Sequence, residues 1–133
     1  MKLIDFGSAV IEDPLKPRPF YDVFYGTTAY ASSEVLRKQA YRAGPAEVWT
    51  LGVLLSYLLT GSSPFPTERD AIEGRVRLKA VVERKLSRSV VGLMRACLEP
   101  EPDRRATIDE VRNHSWMTKE RAGSIHTIFA TLR

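Results

Sequence analysis

A carboxylate stands between a short apolar run and a glycine: Leu3-Ile4, then Asp5-Phe6-Gly7. Carboxylate oxygens are the ligands that hard divalent cations favour. Gly7 gives the backbone freedom that a side chain would remove. The triplet is therefore a candidate donor for a divalent cation, although a loose tripeptide of this kind more often ends a strand for structural reasons. Other reactive side chains are scarce. Cys97 is the single cysteine, so no intrachain disulfide forms, which fits a reducing compartment. It lies in Leu93-Met94-Arg95-Ala96-Cys97-Leu98 and reads as a small core residue. His114 and His126 have no Cys or carboxylate at metal-ligand spacing, so zinc is not expected.

The elements that must position these residues are mainly helical. Lys2-Leu3-Ile4 reads as a short buried strand. Ser8 to Tyr25 reads as a loop, broken by Pro14, Pro17 and Pro19. Ser33 to Arg37 fits a short helix. A long helix over 45–60 follows, with Pro45 at its first position and Glu47 in its first turn, where the helix dipole favours negative charge. Gly61 is placed as its left-handed cap, and Pro64 prevents continuation. Trp49, Leu51, Val53, Leu54, Leu55, Tyr57, Leu58 and Leu59 leave this helix little polar face, which predicts burial nearly all round and a central position. The apolar run, 48–59, falls short of the roughly 20 residues a membrane span needs.

Further helices are expected after Thr67, with Asp70 three residues on, and over Ser87–Leu98, where Val90, Leu93, Met94 and Cys97 share a face. Thr107-Ile108-Asp109-Glu110 has capping-box spacing and starts a helix toward Asn113. Thr118 to Arg133 fits a final amphipathic helix.

Composition narrows the function classes. Of 133 residues, 44% are hydrophobic and 27% charged, enough apolar material to exclude a wholly disordered chain. The net charge is +4, with the excess in Arg75, Arg77, Lys79, Arg84, Lys85, Arg88 and Arg95. A solvated helical surface accounts for these. No aromatic platform interleaves them, so nucleic acid is not expected as a partner. No basic-then-apolar leader opens the sequence, and a cytoplasmic or nuclear location is expected.

Several motifs occur in one order after the triplet. Gly26-Thr27-Thr28-Ala29-Tyr30-Ala31-Ser32-Ser33-Glu34 resembles the Gly-Thr-x-x-Tyr-x-Ala-Pro-Glu segment that closes a kinase activation loop. Glu47-Val48-Trp49-Thr50-Leu51-Gly52-Val53 is similar to Asp-x-Trp-Ser-Leu-Gly-Val, and Leu58-Leu59-Thr60-Gly61-Ser62-Ser63-Pro64-Phe65 to Leu-x-x-Gly-x-x-Pro-Phe. Glu101-Pro102-Asp103-Arg104-Arg105-Ala106-Thr107 resembles Asp-Pro-x-x-Arg-Pro-Thr, and Asn113-His114-Ser115-Trp116 a terminal x-His-Pro-Trp. Together they resemble the C-terminal lobe of a eukaryotic-type serine/threonine protein kinase. Within that family, Asp5 to Ala9, the aromatic approach to Gly26 and Glu47 look most like the PAS-domain-containing kinases.

The resemblance implies a mainly α fold: a kinase-like C-terminal lobe over 1–117 with a short N-terminal β-strand, an activation loop over 5–34, the central helix over 45–60, a helical base over 67–117, and an extension over 118–133. It implies ATP and Mg²⁺ as cofactors, a protein substrate, no membrane, and an upstream regulatory domain in a longer parent. Asp5 would ligate Mg²⁺, Phe6 would pack into the lobe interior, and Gly7 would take backbone angles closed to other residues. Thr27 would help seat the substrate hydroxyl, and the residues around it would wall the position after the phosphoacceptor. Glu34 would form a buried ion pair with Arg105, and Glu47 and Trp49 would be structural. Ser8, Tyr21, Tyr25 and Thr28 would lie in the activation loop, where they read as solvent contacts rather than modified hydroxyls.

Three substitutions, the first of them a residue pair, depart from the family pattern. Ser32-Ser33 replaces Ala-Pro, which is expected to loosen a turn. Glu47 replaces an Asp that braces the catalytic-loop backbone, and Ala106 replaces a Pro. The sequence contains no Gly-x-Gly-x-x-Gly loop, no Val-Ala-x-Lys and no His-Arg-Asp. The ATP-anchoring lysine and the catalytic base are therefore not in this chain, which is expected to be inactive alone. The alternative reading is a non-catalytic kinase-like interaction or regulatory module.

Overall fold

The computed structural model describes residues 2, 4–11, 15, 19–78 and 85–122. Their order is a 3₁₀ turn, Thr28–Tyr30, then α1 (Ser33–Leu36), α2 (Ala43–Thr60), α3 (Glu68–Ile72), α4 (Arg88–Cys97), α5 (Ile108–Asn113) and α6 (Ser115–Ala122). The expected mainly helical body is present. Among the described residues there is no strand, and the one β-bridge pairs Tyr21 with Tyr41. Lys2 and Ile4 do not form the expected strand, and Ile4 is 82% exposed. Leu3 lies outside the described residues. A strand needs a ladder partner, and no described segment supplies one.

α2 organises the body. It begins at Ala43, two residues earlier than the sequence predicts, so Pro45 is the third helical residue. This is tolerated because the first-turn N–H groups have no intrahelical acceptor in any case. Glu47 consequently falls beyond the first turn, contrary to expectation. Gly61 caps the end at φ 70°, its N–H bonding the Tyr57 carbonyl.

The inner face of α2 carries Ala46, Val48, Trp49, Gly52, Val53 and Ser56, all buried. Trp49 and Val53 join Phe65, Ala71, Met94 and Leu98 in one cluster, and Val48 joins Leu93 and Cys97 in a second. α2 crosses α4 at Gly52. A Cβ there would lie 2.7 Å from the Cys97 Cβ and 2.9 Å from Leu98, so only glycine fits without repacking. Burial all round is not observed. Leu51, Leu54 and Leu58, one stripe at i, i+3 and i+7, are 39%, 42% and 75% exposed. Periodicity reports that a helix is apolar; it does not supply the element that covers each side.

The shorter helices follow their caps. Thr67 accepts from the Asp70 N–H and starts α3, and Ser87 accepts from the Val90 N–H and starts α4. The expected face of Val90, Leu93, Met94 and Cys97 is buried. Burial pushes the Cys97 thiol up to about 11, so it remains a protonated core group. Thr107 and Glu110 form the expected capping box at α5. α6 (Ser115–Ala122) starts three residues before the predicted final helix and covers 118–122 of it, and residues 123–133 lie outside those described. No helix among the described residues is long and apolar enough to cross a membrane.

Candidate functional site

Two groups of candidate residues emerge, and they differ in every physical respect. The first is built around Arg105. Its guanidinium donates from Nη1 to Glu34 Oε1 at 2.9 Å and from Nη2 to Glu34 Oε2 at 2.7 Å. Nε donates to the Glu99 carbonyl at 2.8 Å and Nη1 to the Pro45 carbonyl at 2.7 Å. The group also lies over the Trp49 ring, 5.0 Å from its centroid, and Trp49 stacks on Phe65 at 5.1 Å. Glu34 and Arg105 are 2% and 4% exposed. A buried pair is tolerable only when its remaining donors are satisfied, and here they are. Burial alone would push the Glu34 carboxyl up, but the Arg105 hydrogen bonds and charge outweigh it and hold the group below its usual 4.5.

Glu34 belongs to α1, which follows directly on the 3₁₀ turn carrying Thr28 to Tyr30. Arg105 belongs to the loop between α4 and α5. The pair therefore ties residues 27–34 to the helical base, as expected from the sequence. Ser33, expected to loosen this junction, anchors it instead: it is fully buried and its hydroxyl donates to the Pro100 carbonyl. Ala106, in place of a family Pro, donates its N–H to the Ala96 carbonyl at 3.1 Å, a bond Pro could not make.

The second group is Asp5, Phe6 and Gly7. Asp5 is exposed and adopts φ 63°. It lines an open cleft of about 540 Å³ with Ser8, Val10 and Glu47, among others. Phe6 was expected inside the lobe but is 69% exposed. Its segment runs outside the helical body, and the backbone bond from the Ala9 N–H to the Phe6 carbonyl is local. The left-handed backbone is at Asp5 rather than at Gly7, and a Cβ on Gly7 would meet only the Asp5 carboxylate at 3.5 Å. Asp tolerates this conformation better than most residues. Thr27 is exposed, makes no side-chain capping bond, and receives the Tyr30 N–H on its carbonyl at 2.9 Å.

The structure thus joins Glu34, Arg105 and Trp49 in one hub and places Asp5 and Glu47 on one cleft, while Thr27 lines neither. Magnesium fits only in part. Asp5 is a carboxylate donor of the right hardness, but the described residues hold no cluster of three or more Asp, Glu, His or Cys. The described part of the chain does not complete a metal site.

Sequence reasoning missed two supports. Arg37 donates to the Ile72 carbonyl at 2.7 Å and to Glu101 at 3.0 Å, fastening α1 to α3 and to the loop before Arg105. Asp70, nearly buried, accepts from Thr67 and pairs with Arg75 and Arg77 at 3.3 Å each. Two of the basic residues read as solvated surface are therefore committed to an internal acid. Lys79 and Arg84 lie outside the described residues. No helix-repeat pattern announces either support: the partners of Arg37 lie 35 and 64 positions away, and Arg75 and Arg77 lie beyond the end of α3.

The sequence matches the protein kinase domain family over residues 1–117. It is 38% identical over 117 residues to the serine/threonine-protein kinase PSK2 of Saccharomyces cerevisiae, covering 88% of this chain and 10% of that protein. It is 31% identical to the CBL-interacting serine/threonine-protein kinase 13 of Arabidopsis thaliana, covering 90% of this chain and 24% of the relative. The probable serine/threonine-protein kinase MARK-B of Dictyostelium discoideum is 33% identical, with 90% and 17% covered. The chain spans between about a tenth and a quarter of the length of these relatives.

Proposed function

The chain belongs to the protein kinase domain family, and we propose that it is the C-terminal-lobe part, residues 1–117, of a serine/threonine kinase whose whole catalytic domain transfers the ATP γ-phosphate to protein Ser or Thr. The single observation that carries this reading is the buried Glu34–Arg105 pair against Trp49, which fixes residues 27–34 as a rigid platform. Phosphoryl transfer depends on positioning and charge neutralisation, so a rigid substrate platform is what such a lobe must contribute. On this reading Thr27 seats the substrate hydroxyl, Asp5 supplies one oxygen to Mg²⁺, and Glu47 braces backbone contributed by the rest of the catalytic domain. Residues 118–133 form an extension, and a regulatory domain lies upstream in the longer protein.

The chain by itself lacks the lysine and catalytic base of the reaction. Purified with ATP, Mg²⁺ and a generic Ser/Thr substrate, it is expected to incorporate no phosphate. Incorporation above a no-protein control would overturn that expectation.

A second reading, a non-catalytic interaction module, draws on the exposed stripe of Leu51, Leu54 and Leu58. The transcript upstream of the Met1 codon separates the two. An in-frame His-Arg-Asp segment supports the enzyme, and a stop codon supports the module.

A further inference from the structure

A cavity between residues 21–25 and the start of α2 has no occupant in the kinase reading. Its volume is about 400 Å³, within the range of small-molecule sites. Four aromatic side chains line it: Tyr21, Phe24, Tyr25 and Tyr41. Folding brings this wall together. Tyr21 and Tyr41 exchange backbone hydrogen bonds of 2.8 Å in both directions, and their ring centroids lie 5.7 Å apart. The Tyr41 hydroxyl donates to the Val23 carbonyl at 3.1 Å, which fastens residues 21–25 to the approach of α2. Tyr21 is half-buried as a result, not the plain solvent contact expected from the sequence.

The acids of this cavity differ from those elsewhere. Asp70, Glu73, Glu101 and Asp103 are each paired with an arginine. Asp22 and Glu47 line the cavity, and neither makes an ion pair or hydrogen bond among the described residues. Burial raises the Tyr41 phenol above its usual 10, and the charges of Tyr21, Glu47 and Asp22 add to the shift. The described lining holds no Lys, Arg or His, and the nearby Arg42 is turned to Asp103. Ser32 lines the cavity too. It is 2% exposed, and its hydroxyl is the one buried side-chain polar group with no hydrogen-bond partner among the described residues. Buried polar groups are nearly always paired, so an unpaired one beside a cavity marks a place where a ligand is missing.

Aromatic rings and unpaired carboxylates together attract a cation. The kind of cation follows from the rest of the lining. A primary ammonium is strongly hydrated and brings three N–H donors that need acceptors. A quaternary ammonium brings none, and its methyl groups suit an aromatic wall. We propose that this cavity binds a small quaternary ammonium compound, with the cation against Tyr21 and Tyr41 and its charge balanced by Asp22. Glu47 adds negative potential from the α2 side. Nothing in this assignment depends on the kinase reading, in which Tyr21, Asp22 and Tyr41 hold no role.

The test uses the 133-residue chain and isothermal titration calorimetry. The probes are choline and 3,3-dimethylbutan-1-ol, which has the same shape and hydroxyl but no charge. Ionic strength is held constant with sodium chloride. Choline is expected to bind about tenfold more tightly than the neutral probe, the order expected of a cation on an aromatic wall. Asp22→Asn, at an exposed position, is expected to remove most of that difference. Tyr21→Leu is expected to weaken choline several-fold, and Tyr21→Phe, which keeps the ring, to restore it. Circular dichroism confirms that each variant retains its helices, so loss of folding is not mistaken for loss of binding. Equal affinity for the two probes overturns the proposal, as does the absence of binding by either. So does an unchanged choline affinity in folded Asp22→Asn or Tyr21→Leu.

Discussion

Arg105 and Asp5 are both charged residues of kinase motifs, and they stand in opposite surroundings. Arg105 is 4% exposed, bonds Glu34 through two nitrogens, bonds three carbonyls and covers an indole ring. Asp5 is exposed, and its carboxylate carries no hydrogen bond or ion pair among the described residues. The difference separates two kinds of motif residue. One kind builds the scaffold and finds its partners within the lobe. On the proposed reading the other kind faces the reacting groups, where its partners would be ligand atoms and the remainder of the catalytic domain. If that division is correct, damage at the first kind appears as lost stability, and damage at the second does not.

Glu34→Ala is the strongest test. It removes the carboxylate that faces the buried Arg105 guanidinium, which costs about 3–5 kcal/mol when one partner of such a pair is lost. For a marginally stable domain this is a large fraction of the total. The expected result in thermal denaturation is a strongly lowered or absent cooperative transition, and an unchanged transition would sink the scaffold role. The pH dependence has a definite sign. Glu34 titrates below its usual 4.5 in the folded chain, so its contribution is fully present above about pH 4.5 and is lost as pH falls through the lower folded value. The gap in stability between the parent chain and Glu34→Ala should therefore narrow in acid.

Gly52→Ala probes the same scaffold with a smaller change. The new methyl group would meet the Cys97 Cβ and the Leu98 side chain inside ordinary contact distance, and neither α2 nor α4 can shift without disturbing both core clusters. Overpacking of this kind costs roughly 1–3 kcal/mol. Urea denaturation should show a lower midpoint with an unchanged slope. A stabilised variant, as alanine's helix propensity alone would give, would mean that α2 and α4 are less closely packed than described.

How far the sequence revealed all this depends on the range of the interaction. The caps at Thr67 and Thr107, the left-handed Gly61 and the buried face of α4 were legible because each depends on residues within one or two helical turns. The Glu34–Arg105 pair spans 71 positions and was reached through motif resemblance alone. Three features were misread because they depend on what lies opposite them. The stripe of Leu51, Leu54 and Leu58 reads as core in one dimension but has no covering element here. Phe6 reads as a buried aromatic, yet no described helix reaches over it. Ser33 reads as a loosened turn, but its hydroxyl finds the distant Pro100 carbonyl. The acceptor for Arg37 at Ile72 has no sequence signature, since it is made by folding.

The smallest expected effect is the most discriminating for the division drawn above. Asp5→Asn keeps the shape of the side chain and the tolerance for φ 63°, and removes only the charge. Surface substitutions away from caps, cores and ion pairs usually change stability by no more than about 0.5 kcal/mol. The melting transition of the chain should thus be indistinguishable from that of the parent, while Glu34→Ala in the same buffer loses most of its stability. A clear destabilisation by Asp5→Asn would mean that the carboxylate has a structural partner, and Asp5 would then belong with Arg105. An unchanged transition leaves the Asp5 charge with no folding role, and places its use with whatever the cleft shared with Glu47 receives.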